Sequence, residues 1–347
     1  MAEKLLDWLP GALLPWYEKN MRDLPWRRDR EPYHIWLSEI MLQQTRVEAV
    51  KGYYTRFLTA LPDIAALASC DDEVLHKLWE GLGYYSRVRN LKKAAKVIME
   101  MHSGIFPKDY AAIRALPGIG DYTAGAICSI AFDMPTPAVD GNVLRVVSRL
   151  QADDTPIDLA EVKLRIRQDL AEIYPDRAGD FTQALMELGA TVCGPNRVPD
   201  CENCPCRDGC LGRHRGIAAQ LPVKLGKKPR RMEDMTVFIL CCDGRYALRK
   251  REESGLLAGL WEFPHVSGHL DTEDALQALE NMGLHPRELR RQVEKKHIFT
   301  HIQWNMRGYY LEVSEESEGF TWLTEEQINA QAALPTAFRQ FWECFMY

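Results

Sequence analysis

No stretch of the 347 residues approaches the roughly 18 to 20 consecutive apolar positions that a membrane-spanning helix needs, which argues against an integral helical membrane protein. The amino terminus, MAEKLLDWLPGALLPWYEKN, lacks a small-residue cleavage site and carries acids among its apolar residues, so it reads as an amphipathic helix rather than a secretory leader. The expected compartment is therefore reducing: cytoplasmic, and nucleoid-associated in a bacterium. Internal repeats and low-complexity tracts are missing as well. Positive charge is not in excess, since the formal net charge is −6. Taken over the whole chain that argues against a nucleic-acid partner, but binding responds to where charge sits. Between Arg213 and Arg231 lie Arg213, Arg215, Lys224, Lys227, Lys228, Arg230 and Arg231 without a single acid, and Arg87, Arg89, Lys92, Lys93 and Lys96 form a second basic stretch. Each run alone is also compatible with a solvated linker or helix face.

The chain is too long for one typical hydrophobic core, and 46% hydrophobic with 27% charged residues is ordinary for a globular enzyme, so two domains are expected. Helical periodicity broken by Pro and Gly runs to about residue 220, as in Ala65 to Trp79, Leu91 to Met101 and Val162 to Ile173. Short β-rich runs follow, at Thr236 to Cys241, Arg245 to Arg249 and Ile298 to Val313, with a helical segment near Asp271 to Met282. The reading is multidomain: an all-α domain over 1–222, a basic linker over 223–234 and an α+β domain over 235–347.

Five of the ten cysteines fall between Cys193 and Cys210. Without a secretion signal, such a concentration points to a metal rather than to disulfides. Cys193, Cys201, Cys204 and Cys210 are separated by seven, two and five residues, with Gly194, Pro195, Pro199, Pro205 and Gly209 shaping a tight loop. Four thiolates can hold Zn²⁺ or an iron–sulfur cluster, and unligated cysteines are the remaining alternative. A zinc ribbon pairs two C-x₂-C units; only one close pair exists here, which favours the cluster. The loop resembles that of the helix-hairpin-helix glycosylases related to endonuclease III, many of which carry [4Fe–4S] on C-x₆-C-x₂-C-x₅-C. The first gap is one residue longer in this chain, and Cys206 is the substitute ligand to consider.

Leu116-Pro117-Gly118-Ile119-Gly120 separates a helical segment ending at Ala115 from one running from about Tyr122 to Ala131. Two glycines permit positive φ and leave backbone N–H groups uncovered at a helix start, where a phosphate can bind. The string is weak alone, but with the cysteine loop at 193–210 it is similar to the superfamily's DNA-binding hairpin, here about 109–131.

A glycosylase must protonate the departing base and stabilise a cationic sugar, which calls for two carboxyl groups of different acidity. Glu39, in WLSEIMLQQT, has Ile35, Trp36, Leu42 and Gln43 as its helical neighbours, and three apolar neighbours would raise its pKa. The plain structural alternative is a glutamate at the polar edge of an amphipathic helix. Asp140, in PAVDGNV, precedes the helical run Val143 to Leu150 and is expected to cap it, with the dipole and donated N–H groups lowering its pKa. In the superfamily the matching aspartate is the catalytic one.

Position 122 discriminates further. Glycosylases with strong lyase activity place a Schiff-base lysine there, and this chain has Tyr122. Tyr122, LSEIMLQQT, VDGN and GLGYYSRVRNL together resemble the MutY-type adenine glycosylases. That resemblance implies that Glu39 protonates adenine, that Asp140 stabilises the sugar or a transient adduct, and that Tyr122 and Asn142 support them. It also assigns Tyr84 and Leu82 as side chains inserted into the duplex, with Gln44 and Thr45 touching the opposite strand; Gly118 and Gly120 lie in the hairpin.

The run Gly255 to Pro264 (GLLAGLWEFP) looks like the strand approach of a Nudix fold, but no R-E-x-x-E-E helix follows, so a binding module without its own catalysis is expected. Alternation over Lys295 to Trp304 suggests a strand with His297, Phe299, His301 and Gln303 on one face. The MutY-type resemblance implies that Phe299, Thr300 and His301 read 8-oxoguanine, with threonine where serine is usual. The expected protein is a monomer acting on double-stranded DNA that carries A:8-oxoguanine or A:G mispairs, without a membrane partner. An endonuclease III-like enzyme for oxidised pyrimidines is disfavoured by Tyr122 and the added domain. A catalytically silent iron–sulfur DNA-binding protein is disfavoured by the two carboxylates.

Overall fold

A computed structural model describes residues 6–195, 197–226 and 229–345. The chain forms two compact units, one of residues 1–69 and 90–226 and the other of residues 70–89 and 227–347. Segment 70–89, grouped by its periodicity with the helical half, thus belongs structurally with the C-terminal residues. Lys227 and Lys228 of the basic run, and residues 1–5 of the amino-terminal helical reading, lie outside the described residues. No helix among the described residues is long and apolar enough to cross a membrane.

The helices follow in order as α1 (Leu9–Asn20), α2 (Pro32–Leu42), α3 (Val47–Ala60), α4 (Ile64–Ser69), α5 (Asp72–Trp79), α6 (Ser86–Met101), α7 (Tyr110–Ala115), α8 (Asp121–Phe132), α9 (Gly141–Gln151), α10 (Ala160–Ala171), α11 (Ala178–Thr191) and α12 (Leu211–His214). The expected single run from Ala65 to Trp79 is two helices, interrupted at Cys70 and Asp71. In the helical unit α8 is buried from Thr123 to Ile130, and it packs on α2 and α11. An Ala-rich, apolar helix of this kind suits a position with neighbours on all sides. A Cβ on Gly125 would lie 2.4 Å from the Pro137 carbonyl, so only glycine permits this approach. Leu9, Leu13, Val143, Val147, Ile166, Leu170, Phe181 and Leu188 share one core with the buried Cys206 and Cys210. Each such fully buried side chain contributes about 1.5–3 kcal/mol.

The second unit is built on a mixed sheet of β1 (Arg231–Cys242), β2 (Arg245–Lys250), β3 (Trp261–Glu262), β4 (His265–Ser267), β5 (Pro286–Ile298), β6 (Ile302–Val313) and β7 (Thr321–Thr324), with α13 (Thr272–Asn281), α14 (Glu325–Gln331) and α15 (Thr336–Phe345). The order is β3-β2-β1-β6-β5; β4 pairs with β1 and β7 with β2. β1 and β6 run parallel over Arg231 to Cys241, and β5 and β6 form an antiparallel hairpin. Val237 and Ile239 pack with Phe338 and Phe341 of α15 on one face. Phe238 and Leu240 meet Ala275 and Leu279 of α13 on the other. Burial on both faces explains the unbroken apolar run in β1.

The expected strand through Phe299-Thr300-His301 is corrected by the structure. These residues form the tip between β5 and β6, closed by Phe299 N–H donating to the Ile302 carbonyl at 2.8 Å. His297, Phe299, His301 and Gln303 therefore do not form a continuous strand face. Gln303 is buried and bonds Asn305.

Candidate active site

α2, α8 and the start of α9 bring Glu39, Tyr122 and Asp140 to a cavity of about 600 Å³ within the helical unit, whose wall also includes Gln44, Thr45 and Asn142. Glu39 is only 5% exposed and accepts a short hydrogen bond from the Tyr122 hydroxyl. Burial is the main cause that lifts its pKa from 4.5 to about 7, opposed by the Tyr122 bond, with the nearby Asp140 charge adding and Arg27 subtracting. The expected rise in its pKa is therefore present. Tyr122 is held well above the usual phenol range by burial and by both carboxylates, so it remains a donor.

Asp140 caps α9: its Oδ1 accepts Val143 N–H at 2.8 Å and its Oδ2 accepts Asn142 Nδ2 at 2.6 Å. The cap is as expected, but the direction of its pKa is not. Burial raises it and outweighs the donated N–H groups, because the surrounding walls remove more solvation than the cap returns. The two carboxyls share one cavity, one tied to a phenol and the other to amide N–H groups.

Asn142 is held in turn. Arg145 donates to its Oδ1 at 2.8 Å, to the Gly189 carbonyl at 2.8 Å and to the Cys193 carbonyl at 2.9 Å. A Cβ on Gly189 would lie 2.7 Å from that of Asn142, so glycine lets α11 approach the site. Sequence reasoning missed Arg145 and Gly189, and also Arg22, Arg27 and Glu187 in the same cavity wall. Glu187 has a fully buried side chain, gripped by Arg22 at 2.6 Å and Arg27 at 2.7 Å. The available signal was an acid set among Leu185, Met186 and Leu188, on a helix face that must otherwise bury apolar groups. Gln44 adopts a φ of +60° at the cavity, a conformation that costs a non-glycine residue about 1 kcal/mol or more.

The hairpin between α7 and α8 places Gly118 at φ +79°, where a Cβ would also meet Asn90 at 2.6 Å. Gly120 does not use positive φ as expected: it is the extended residue before α8 at φ −94°. A Cβ there would meet nothing within 4 Å, so the start of α8 is open to an approaching anion.

Cys193, Cys201, Cys204 and Cys210 line one cleft with Arg149, whereas Cys206 is absent from its wall and buried in the core. Among the described residues no three His, Cys, Asp or Glu side chains converge tightly enough for a single metal ion. The Arg149 guanidinium, 3% exposed, donates to Cys193 Sγ at 3.2 Å and to the carbonyls of Cys193, Gly194 and Leu221. A buried cation bonded to a thiol and three carbonyls is an environment suited to an anionic group.

In the second unit, Tyr84 is half exposed at φ +47°, and its hydroxyl lies 3.1 Å from Thr300 Oγ1. Both line a cavity of about 420 Å³ with His297, Phe299 and His301. Leu82, expected to insert, is instead 6% exposed and packs inward. Phe299 sits edge-on to Trp304 at 4.8 Å.

With this geometry, residues 37–173 match the family described as HhH-GPD superfamily base excision DNA repair protein, and residues 235–344 match the NUDIX domain. A solved thermostable thymine-DNA glycosylase is 27% identical, with a TM-score of 0.56 over 61% of this chain and 98% of that one. An endonuclease III in a non-covalent DNA complex, 22% identical, shares the helical fold with a TM-score of 0.53 over 62% of this chain and 99% of that one. The adenine DNA glycosylase of Homo sapiens is 36% identical over 96% of this chain and 73% of its own length. A relationship of that extent covers the helical unit and the Nudix unit together, and the chain belongs to the adenine DNA glycosylase family.

Proposed function

We propose that the protein hydrolyses the N-glycosidic bond of adenine mispaired with 8-oxoguanine or guanine in duplex DNA, leaving an abasic site. The observation that carries this reading is the pair of unlike carboxyls in one cavity, with Glu39 tied to Tyr122 and Asp140 tied to Val143 and Asn142. Extruding the base costs a few kcal/mol, and Tyr84 fills the gap it leaves, while Gln44 and Thr45 contact the opposite strand. The hairpin N–H groups at Gly118 and Gly120 hold a backbone phosphate.

Below pH 7 Glu39 carries the proton that the departing adenine needs, and the Tyr122 phenol orients that carboxyl. Burial makes the Asp140 anion costly in the free enzyme. The positive charge that develops on the sugar offsets that cost only as the bond breaks, so stabilisation is concentrated in the transition state. With Tyr122 where a lysine would stand, no Schiff base forms at that position and strand cleavage is not coupled to excision.

Cys193, Cys201, Cys204 and Cys210 would hold a [4Fe–4S] cluster, which when bound ties residues 193–210 into one fixed loop. Arg149 and Arg145 join that loop to α9, on which Asn142 sits. Purified protein should contain about four irons per chain. Cys201→Ala is expected to lose most of the iron and the visible absorbance; full iron retention in that variant would refute the ligand set.

Thr300 reads the lesion through its hydroxyl. Thr300→Val should lower the preference for adenine opposite 8-oxoguanine over adenine opposite guanine by about tenfold, the worth of one hydrogen bond of about 1.4 kcal/mol, whereas Thr300→Ser should keep it. Unchanged preference in the valine variant counts against this assignment.

The reading as a whole is tested with duplexes carrying adenine opposite 8-oxoguanine, adenine opposite guanine, or thymine glycol, each analysed with and without alkali. Strand breaks are expected only after alkali and only with the adenine duplexes. Absence of adenine release under single-turnover conditions would overturn it.

A further inference from the structure

Segment 70–89 precedes much of the helical unit in the chain yet is built into the second one. It carries Tyr84, and its attachment is polar as well as apolar. The Glu80 side chain, 8% exposed, accepts Leu334 N–H at 2.9 Å and pairs with Arg339 at 2.5 Å and Lys77 at 2.9 Å. Lys77 also donates to the Ala332 carbonyl at 3.3 Å. Beyond Tyr84, Arg89 donates to the Ala258 carbonyl at 2.5 Å. Ala332, Ala333 and Leu334 are all buried, and Pro335 and Thr336, next along the chain, line the cavity that Tyr84 shares with Thr300.

Between these anchors the backbone takes positive φ at Gly81, Gly83 and Tyr84, at +94°, +70° and +47°. A non-glycine residue keeps such a conformation only when the surrounding structure over-determines it. The buried carboxylate four residues before Tyr84 is the nearest fixed point, and it grips the strip that leads into the cavity wall.

We propose that Glu80 is a positioning residue for base extrusion: through Leu334 and Arg339 it mounts the Tyr84 loop on the Nudix unit, so that one body both inserts into the duplex and reads the opposite base. This rests on Tyr84 being the inserted side chain. It also gives the second unit a part in extrusion, so that deleting residues 235–347 removes the mount of the wedge together with the reader.

The test uses the whole 347-residue chain with two sets of duplexes: one in which 2-aminopurine, fluorescent when unstacked, replaces adenine opposite 8-oxoguanine, and one with adenine opposite 8-oxoguanine or guanine for the excision rate. Glu80→Gln retains an acceptor for Leu334 but removes the charge that Arg339 and Lys77 pair with; Arg339→Met, at a half-exposed side chain, keeps the test open should the first variant not fold. Both are expected to reduce the fluorescence rise on binding several-fold and to slow adenine release in proportion, opposite guanine as well as opposite 8-oxoguanine. The pH dependence of the remaining rate should keep the wild-type shape, because Glu39 is untouched. Tyr84→Ala is the control. If it retains the full rise, Tyr84 is not the wedge and the proposal fails with it. If it loses the rise while folded Glu80→Gln or Arg339→Met keeps it, the mounting role of Glu80 is overturned.

Discussion

Glu39→Gln is expected to slow single-turnover adenine release by roughly 10²- to 10⁴-fold, the usual contribution of a positioned general acid, while binding to the mispaired duplex is retained. Glutamine keeps the volume and an acceptor for the Tyr122 hydroxyl, so the loss isolates the proton. In the unsubstituted protein the rate should fall as pH rises through about 7, where Glu39 ionises, and the residual rate of the variant should be flat there. Stability carries the same signature with a definite sign. A carboxyl raised from 4.5 to about 7 binds more protons folded than unfolded between those values, so stability declines as pH rises across that window. Above it, ionising the buried group costs about 3 kcal/mol, which glutamine removes. Thermal melts at pH 5 and pH 8 check this: the variant should be the more stable protein at pH 8, and a less stable one would contradict the buried, protonated acid.

The second large effect is expected at Asp140. Asparagine caps helices about as well as aspartate, so Asp140→Asn should leave α9 intact and remove only the charge. Loss of a preorganised electrostatic contact to the reacting centre is worth about 10²- to 10³-fold in rate. Because the Asp140 charge helps to raise the Glu39 pKa, the falling limb of any residual pH profile should also move to lower pH. Measured single-turnover rates within tenfold of the parent, at every pH, would remove Asp140 from the chemistry.

The two carboxyls were legible in the sequence to different degrees. Glu39 among Ile35, Trp36 and Leu42 already implies burial, because those neighbours belong to its own helix. The direction at Asp140 was not legible, since its desolvation comes from walls contributed by distant parts of the chain, and local cap chemistry points the other way. The turn at Thr300-His301 was hidden for a related reason. It contains no glycine, proline or asparagine, and Ile298 and Ile302 on either side imitate strand alternation. Leu82 was assigned to the duplex by resemblance, but with positive φ at Gly81 and Gly83 on either side it is buried, while Tyr84 is left out. The Glu187 pair with Arg22 and Arg27 joins residues some 160 positions apart, beyond the reach of any periodicity.

The interleaving of the two units also bears on synthesis. Residues 70–89 leave the ribosome seconds before residue 227, the first of the remainder of their unit, and the helical unit is complete in between. During that interval the segment lacks the partners that later hold Glu80, Lys77 and Arg89, namely Leu334, Ala332 and Ala258. A nascent chain stalled near residue 226 would therefore be cut first between 70 and 89 by a protease, and release of the C-terminal residues would close that window.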